Sequence, residues 1–109
     1  MSQDRRIDYV ELPASDLPAS KAFYTAAFGW AYKDWGDDYA DTHDSGITSG
    51  LTAGTHPLVV LYADDLEATR DRVRAAGATI TRDIFEFPGG RRFHFRDPAG
   101  NELGVWTKA

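Results

Sequence analysis

Apolar and polar residues alternate over Ile7–Pro13, and Val10 and Leu12 fall on one side of the strand that this pattern predicts. Asp16 then reads as a helix N-cap, with Leu17 and Pro18 in the first turn, where proline is tolerated. Ala19, Ala22, Phe23, Ala26 and Ala27 recur at helical spacing, and Gly29 ends the helix after Phe28. Three short strands are expected next, at Trp30–Trp35, Tyr39–Asp44 and Ile47–Ala53, separated by Gly36-Asp37-Asp38 and Ser45-Gly46 turns. The second half repeats the order. Pro57–Ala63 is an apolar strand, Asp65 caps a helix over Leu66–Ala76, and Gly77 stops it. Strands at Ala78–Arg82, Arg91–Arg96 and Glu102–Lys108 complete this half, with turns at Pro88-Gly89-Gly90 and Asp97-Pro98-Ala99-Gly100-Asn101.

A shift of about 49 positions superimposes the halves. It matches Leu12 with Leu61, Ala14 with Ala63, Asp16 with Asp65, Leu17 with Leu66, Ala19 with Ala68 and Ala26 with Ala75. Both strand-to-helix junctions and both N-caps come into register, so internal duplication explains the pattern better than coincidence. The 109 residues are read as one domain, spanning 1–109, with module one over about 5–54 and module two over about 57–108. The expected fold is α+β: two βαβββ modules share a curved mixed sheet, with helices on the convex face and a ligand cleft on the concave face.

Alternation assigns the faces. Val10, Leu12, Val59, Leu61, Leu103 and Val105 should face the helices, with Phe93 and Phe95, and Phe23 and Phe28 are expected in the core. The concave side then receives Ile7, Tyr9, Glu11, Leu58, Val60, Tyr62, Glu102, Gly104 and Trp106, together with Arg92, His94 and Arg96. Of Trp30 with Tyr32 and Lys33 with Trp35, one pair should line the cleft and the other pack inside. A face this rich in Tyr and Trp suits a small molecule, or else an interface between two chains.

Composition narrows the chemistry. The chain has no cysteine, which removes disulfides, thiolate metal sites and a cysteine nucleophile. A net charge of −5 disfavours nucleic acid, and no apolar run approaches a membrane span. Met1-Ser2-Gln3-Asp4-Arg5-Arg6 does not resemble a secretory signal, so a cytoplasmic protein is the expectation. Pro88-Gly89-Gly90 with Arg91 and Arg92 lacks the following helix that a phosphate loop requires, and reads as a hairpin turn.

The runs Asp8-Tyr9-Val10-Glu11-Leu12-Pro13-Ala14-Ser15-Asp16-Leu17, Ala63-Asp64-Asp65-Leu66-Glu67-Ala68-Thr69 and Phe95-Arg96-Asp97-Pro98-Ala99-Gly100-Asn101 bring in a further argument. With Phe28-Gly29-Trp30, Gly104 and Trp106, they resemble the vicinal-oxygen-chelate superfamily, in its glyoxalase, bleomycin-resistance and dioxygenase branch. The resemblance implies a divalent metal held by His, Glu or Gln side chains of the concave face. Those positions fall at Tyr9, Leu58, Gly104 and within the Ile47–Gly54 strand, and none supplies such a donor. The expectation is therefore no metal and no other cofactor. A displaced site would have to use Asp41 and His43, which share a strand face.

The leading reading is a metal-independent small-molecule-binding protein, its ligand a metabolite or antibiotic of cationic or aromatic character. Tyr9, Leu58, Tyr62, His94, Glu102 and Trp106 are the candidate lining. The alternative is a glyoxalase-related lyase or isomerase using a non-standard metal or acid–base residues, with Glu11, His94, Glu102 and Tyr9 as candidates. A third reading is an interaction module whose cleft a partner chain closes. A homodimer is expected.

Overall fold

The computed structural model describes residues 3–109. The chain divides into two compact units, Tyr9–Leu58 and Met1–Asp8 with Val59–Ala109. Each element follows from local chemistry that the sequence displays. β1 (Arg6–Pro13) leads to α1 (Leu17–Phe28), whose first turn is capped by the Asp16 carboxylate accepting from the Ala19 N–H at 3.1 Å. Gly29, at φ 78°, ends α1 in the left-handed conformation that a side chain would disfavour. β2 (Ala31–Asp34), β3 (Tyr39–His43) and β4 (Ser49–Thr52) follow, slightly shorter than their patterns suggest. The second round is β5 (Leu58–Tyr62), α2 (Leu66–Ala75, capped by Asp65), β6 (Thr79–Phe87), β7 (Gly90–Arg96) and β8 (Glu102–Lys108).

The two units have the same topology. In the first, the strand order is β2-β3-β4-β1, with β1 parallel to β4 and the other neighbours antiparallel. In the second, the order β5-β8-β7-β6 repeats this arrangement, with β5 parallel to β8. Even the register corresponds: Val10 pairs with Ser49 and Val59 with Leu103, so Gly50 and Gly104 occupy matching places. The described residues before Tyr9 belong to the second unit. Asp4 bridges Tyr62 and its carboxylate accepts the Asp64 N–H, while Asp8 accepts from the Trp106 indole at 2.9 Å.

In the second unit the helix-facing row is as alternation assigns it. Phe93, Val105, Ala63 and Leu66 are fully buried, and Leu61, Ile80, Ile84, Phe95 and Val73 pack around them. In the first unit Ala40 and Leu51 are fully buried, and α1 packs toward β4. Here the structure corrects two expectations. Phe23 and Phe28 are not core residues but 58% and 65% exposed, and the alanine stripe of α1 also faces solvent. Polar anchors turn the helix this way. The Tyr32 hydroxyl donates to the Lys21 carbonyl at 3.0 Å, the Lys21 ammonium meets Asp34 at 2.6 Å, and Tyr24 stacks on Trp30 at 4.5 Å between ring centres. Those contacts hold the Lys21 and Tyr24 side of α1 against its sheet.

β6 is the other difference, because it continues to Phe87 rather than ending at Arg82. Its register against β7 slips between Ile80 and Arg82 and again between Arg82 and Phe85. Each slip inserts an unpaired residue and breaks the two-residue period that would have marked a strand.

Phe93 is the largest fully buried side chain. Phe93→Ala should therefore lower the unfolding free energy by about 3–5 kcal/mol, measured by urea denaturation. A loss under about 1 kcal/mol would mean that this residue is not the centre of a packed core.

Candidate functional site

Each helix covers one face of its unit, and the chemistry gathers on the other. In the first unit this face carries Tyr9 and Glu11 from β1, Tyr39 and Asp41 from β3, and Trp35 just after β2. The Tyr9 hydroxyl donates to Asp41 at 2.7 Å, and Asp41 also accepts from the Trp35 indole at 2.8 Å. The Tyr39 hydroxyl lies 2.7 Å from that of Tyr9 and 3.1 Å from Glu11. These side chains form one cluster, Glu11–Tyr39–Tyr9–Asp41–Trp35, in which the single Tyr39 hydroxyl proton is shared between the Tyr9 oxygen and Glu11. It is possible because β4 offers a glycine beneath it: a methyl group on Gly50 would overlap both phenol oxygens.

The electrostatics match the geometry. Burial above all, then the hydrogen bonds to Tyr39 and Asp41, pushes the Tyr9 phenol far above its ordinary range. Burial, followed by the adjacent Glu11 charge, does the same to Tyr39. Both are un-ionised hydroxyls at neutral pH. Of the two strand pairs left open by alternation, Lys33 and Trp35 lie on this face, with the Lys33 ammonium 4.4 Å from the Trp35 ring centre. Trp30 and Tyr32 belong to the α1 side.

In the second unit the helix-free face is built from β5, β8, β7 and β6. Tyr62 sets its edge against Trp106 at 5.0 Å, and Phe87 tilts toward Trp106 at 6.2 Å. Phe85 meets His94 edge-on at 5.7 Å. The polar groups form a second cluster. Arg92 Nε donates to His94 Nε2 at 3.1 Å, which leaves the neutral ring with its proton on Nδ1. His94 Nδ1 lies 3.8 Å from Glu102, and Glu102 accepts from the Thr81 hydroxyl at 2.9 Å. Gly104 lies under this group, since an added methyl would sit 3.3 Å from the Arg92 guanidinium and 3.4 Å from His94.

The sequence-derived candidates therefore fall into two groups. Tyr9 and Glu11 meet in the first unit. Tyr62, His94, Glu102 and Trp106 share one face of the second. Leu58, the last residue of the first unit, is buried, as is Tyr62. Arg82, Phe85, Phe87 and Thr81 were not among the candidates, and the register slips in β6 bring them onto this face. One signal could have found them: Phe85 and Phe87 alternate immediately before the Pro88-Gly89-Gly90 turn, the pattern of a strand entering a hairpin.

The residues do not suit the divalent metal that the fold implies. A hydrogen-bonded, un-ionised phenol at Tyr9 is a poor donor, Leu58 and Gly104 offer none, and a guanidinium lies against Gly104. Among the described residues, no three His, Asp or Glu side chains come together as a metal site requires, and His43 is exposed.

A family model described as the Glyoxalase/Bleomycin resistance protein/Dioxygenase superfamily matches residues 6–105. CFP32 of Mycobacterium tuberculosis, which bears a provisional glyoxylase name, is 30% identical over 91% of this chain and 44% of its own length. The anthracycline biosynthesis protein DauV of Streptomyces sp. strain C5 is 29% identical over 91% of this chain and 40% of its own. The chain thus spans less than half the length of these relatives. The Mn(II)-bound glyoxalase from Novosphingobium aromaticivorans superimposes with a TM-score of 0.69 at 26% identity, covering 98% of this chain and 40% of that one.

The tyrosine pair has a measurable consequence. Folding raises the proton affinity of both phenols, so their contribution to stability is fully present below pH about 10, where the unfolded phenols titrate. It is lost as pH rises above that value, because the unfolded chain then releases protons that the folded chain keeps. The unfolding free energy should fall by up to about 1.4 kcal/mol per pH unit for each phenol, less for their partial exposure. In Tyr9→Phe the slope above pH 10 should be shallower, and an unchanged slope would remove Tyr9 from the account.

Proposed function

Because this chain belongs to the glyoxalase/bleomycin resistance protein/dioxygenase superfamily, we propose that it binds a small planar organic molecule on the helix-free face of its second unit, without a metal ion. The observation that carries this reading is the aromatic surface there. Phe85, Phe87 and Trp106 supply ring faces and edges, and His94 and Glu102 supply polar handles beside them. The alternating large rings and a few oriented polar groups are what a ligand-orienting surface needs, whereas catalysis at a metal would need donors that Leu58 and Gly104 lack. A relative named for anthracycline biosynthesis supports flat fused-ring aromatics as the first compounds to try.

A second reading is favoured by one contact, the approach of Glu102 to His94 Nδ1. A carboxylate beside a histidine is the setting of a proton carrier, and the glyoxylase name of the M. tuberculosis relative points the same way. For His94 to act as a base through Nε2, Arg92 would have to release that nitrogen. The resting arrangement therefore suits binding better than proton transfer.

The apolar side of α1 supports self-association of the chain. Ala19, Ala22, Phe23 and Ala26 are all exposed on it. A homodimer in the cytoplasm is the setting we propose, and no helix among the described residues is long and apolar enough to cross a membrane.

Binding is tested by thermal unfolding against a library of planar aromatics. A ligand at 100 times its dissociation constant should add about 2.7 kcal/mol, and Trp106→Ala should abolish the shift. No shift across such a library, or an equal shift in Trp106→Ala, would refute the reading. A bound compound recovered from D2O with a carbon-bound hydrogen exchanged, but not with His94→Ala, would instead favour the lyase or isomerase.

A further inference from the structure

We infer that Arg82 makes this face selective for aromatic anions, so that the ligand carries a carboxylate or phenolate at the edge of its ring system. The inference rests on the binding reading above and adds the ligand's charge to it. The Arg82 guanidinium lies over the Phe85 ring, 3.6 Å from its centre. It is exposed, and among the described residues it pairs with no carboxylate. Acidic residues outnumber Lys and Arg by 17 to 12, and several other arginines are neutralised by them. Arg70 binds Asp71 and Asp83, Arg91 binds Glu67, and Arg5 binds Asp4.

A guanidinium lying on a ring face does not use its in-plane N–H groups there, and such a planar fork matches a carboxylate with two parallel hydrogen bonds. Arg82 sits opposite His94 in the β6–β7 ladder, and Arg92 sits opposite Phe85, so a second guanidinium shares the face. Arg92 lies 5.8 Å from the Phe87 ring centre. A flat aromatic laid against Phe85 and Phe87 would bring an acidic edge group within reach of Arg82. The bulge between Arg82 and Phe85 is what allows this, because it puts both side chains on one face three positions apart. The anionic preference opposes the protein's net charge of −5, so it has to come from this local cation.

The experiment uses three probes with one ring system: 2-naphthoate, its neutral carboxamide and the cationic 2-naphthylmethylamine. Each is titrated calorimetrically into the full chain, into Arg82→Gln and into Arg82→Lys, with circular dichroism confirming that the variants fold. Naphthoate should bind about tenfold more tightly than the carboxamide, and the amine most weakly, a tenfold step being about 1.4 kcal/mol. Arg82→Gln should remove that tenfold advantage, so that naphthoate and carboxamide bind it about equally. Arg82→Lys should restore only part of it, because a point charge replaces the planar fork. Equal affinities for naphthoate and carboxamide, tighter binding of the amine, or an equal loss for all probes in Arg82→Gln would overturn the inference while leaving the binding reading intact. Binding of none of the three would remove both.

Discussion

A pleated strand that commits one row of side chains to a helix has only the other row left for chemistry. Both units of this protein obey that constraint. In the second unit, Leu61, Phe93, Phe95 and Val105 pack toward α2, so Tyr62, Arg92, His94 and Trp106 must project from the opposite face. In the first, Ala40 and Leu51 are buried, which sends Tyr39 and Asp41 the other way. The positions of the polar side chains are therefore a by-product of core packing, and no separate device is needed to place them.

Within that constraint, the two units use matching glycines for different ends. Gly50 and Gly104 stand at the same place in the repeated topology, each on a strand parallel to the first strand of its unit. Above Gly50, two phenols join two carboxylates in a hydrogen-bonded cluster. Above Gly104, a guanidinium and an imidazole lie against the backbone. A side chain at Gly50 would evict both phenols, whereas at Gly104 the flexible Arg92 end could give way. One unit thus carries a hydrogen-bonded polar cluster, and the other carries aromatic surface with cationic groups beside it.

The element order, both N-caps, the shift between halves and the helix-facing row of the second unit were all legible in the sequence, because each rests on local chemistry or on a clean two-residue period. Three features were not. The outward turn of Phe23 and Phe28 depends on tertiary anchors at Lys21, Tyr32 and Asp34, which outweigh the helical stripe. The bulged strand β6 hides its period, and with it Arg82 and Phe85. The Tyr9–Tyr39 contact joins residues 30 positions apart and needs an empty place at Gly50, which a reading of strands one at a time does not reveal.

The proposed independence from metal follows from what the side chains are. Phenols that keep their protons to donate to Asp41 and Glu11, and a histidine whose Nε2 lone pair accepts from Arg92, are poor ligands for a cation. Anomalous scattering from crystals grown with Mn(II) tests this claim most directly. The account predicts no ordered peak at Tyr9, Glu11 and Asp41 or at His94 and Glu102. A full-occupancy ion bound by either group, with Tyr39 or Arg92 displaced to admit it, would contradict it.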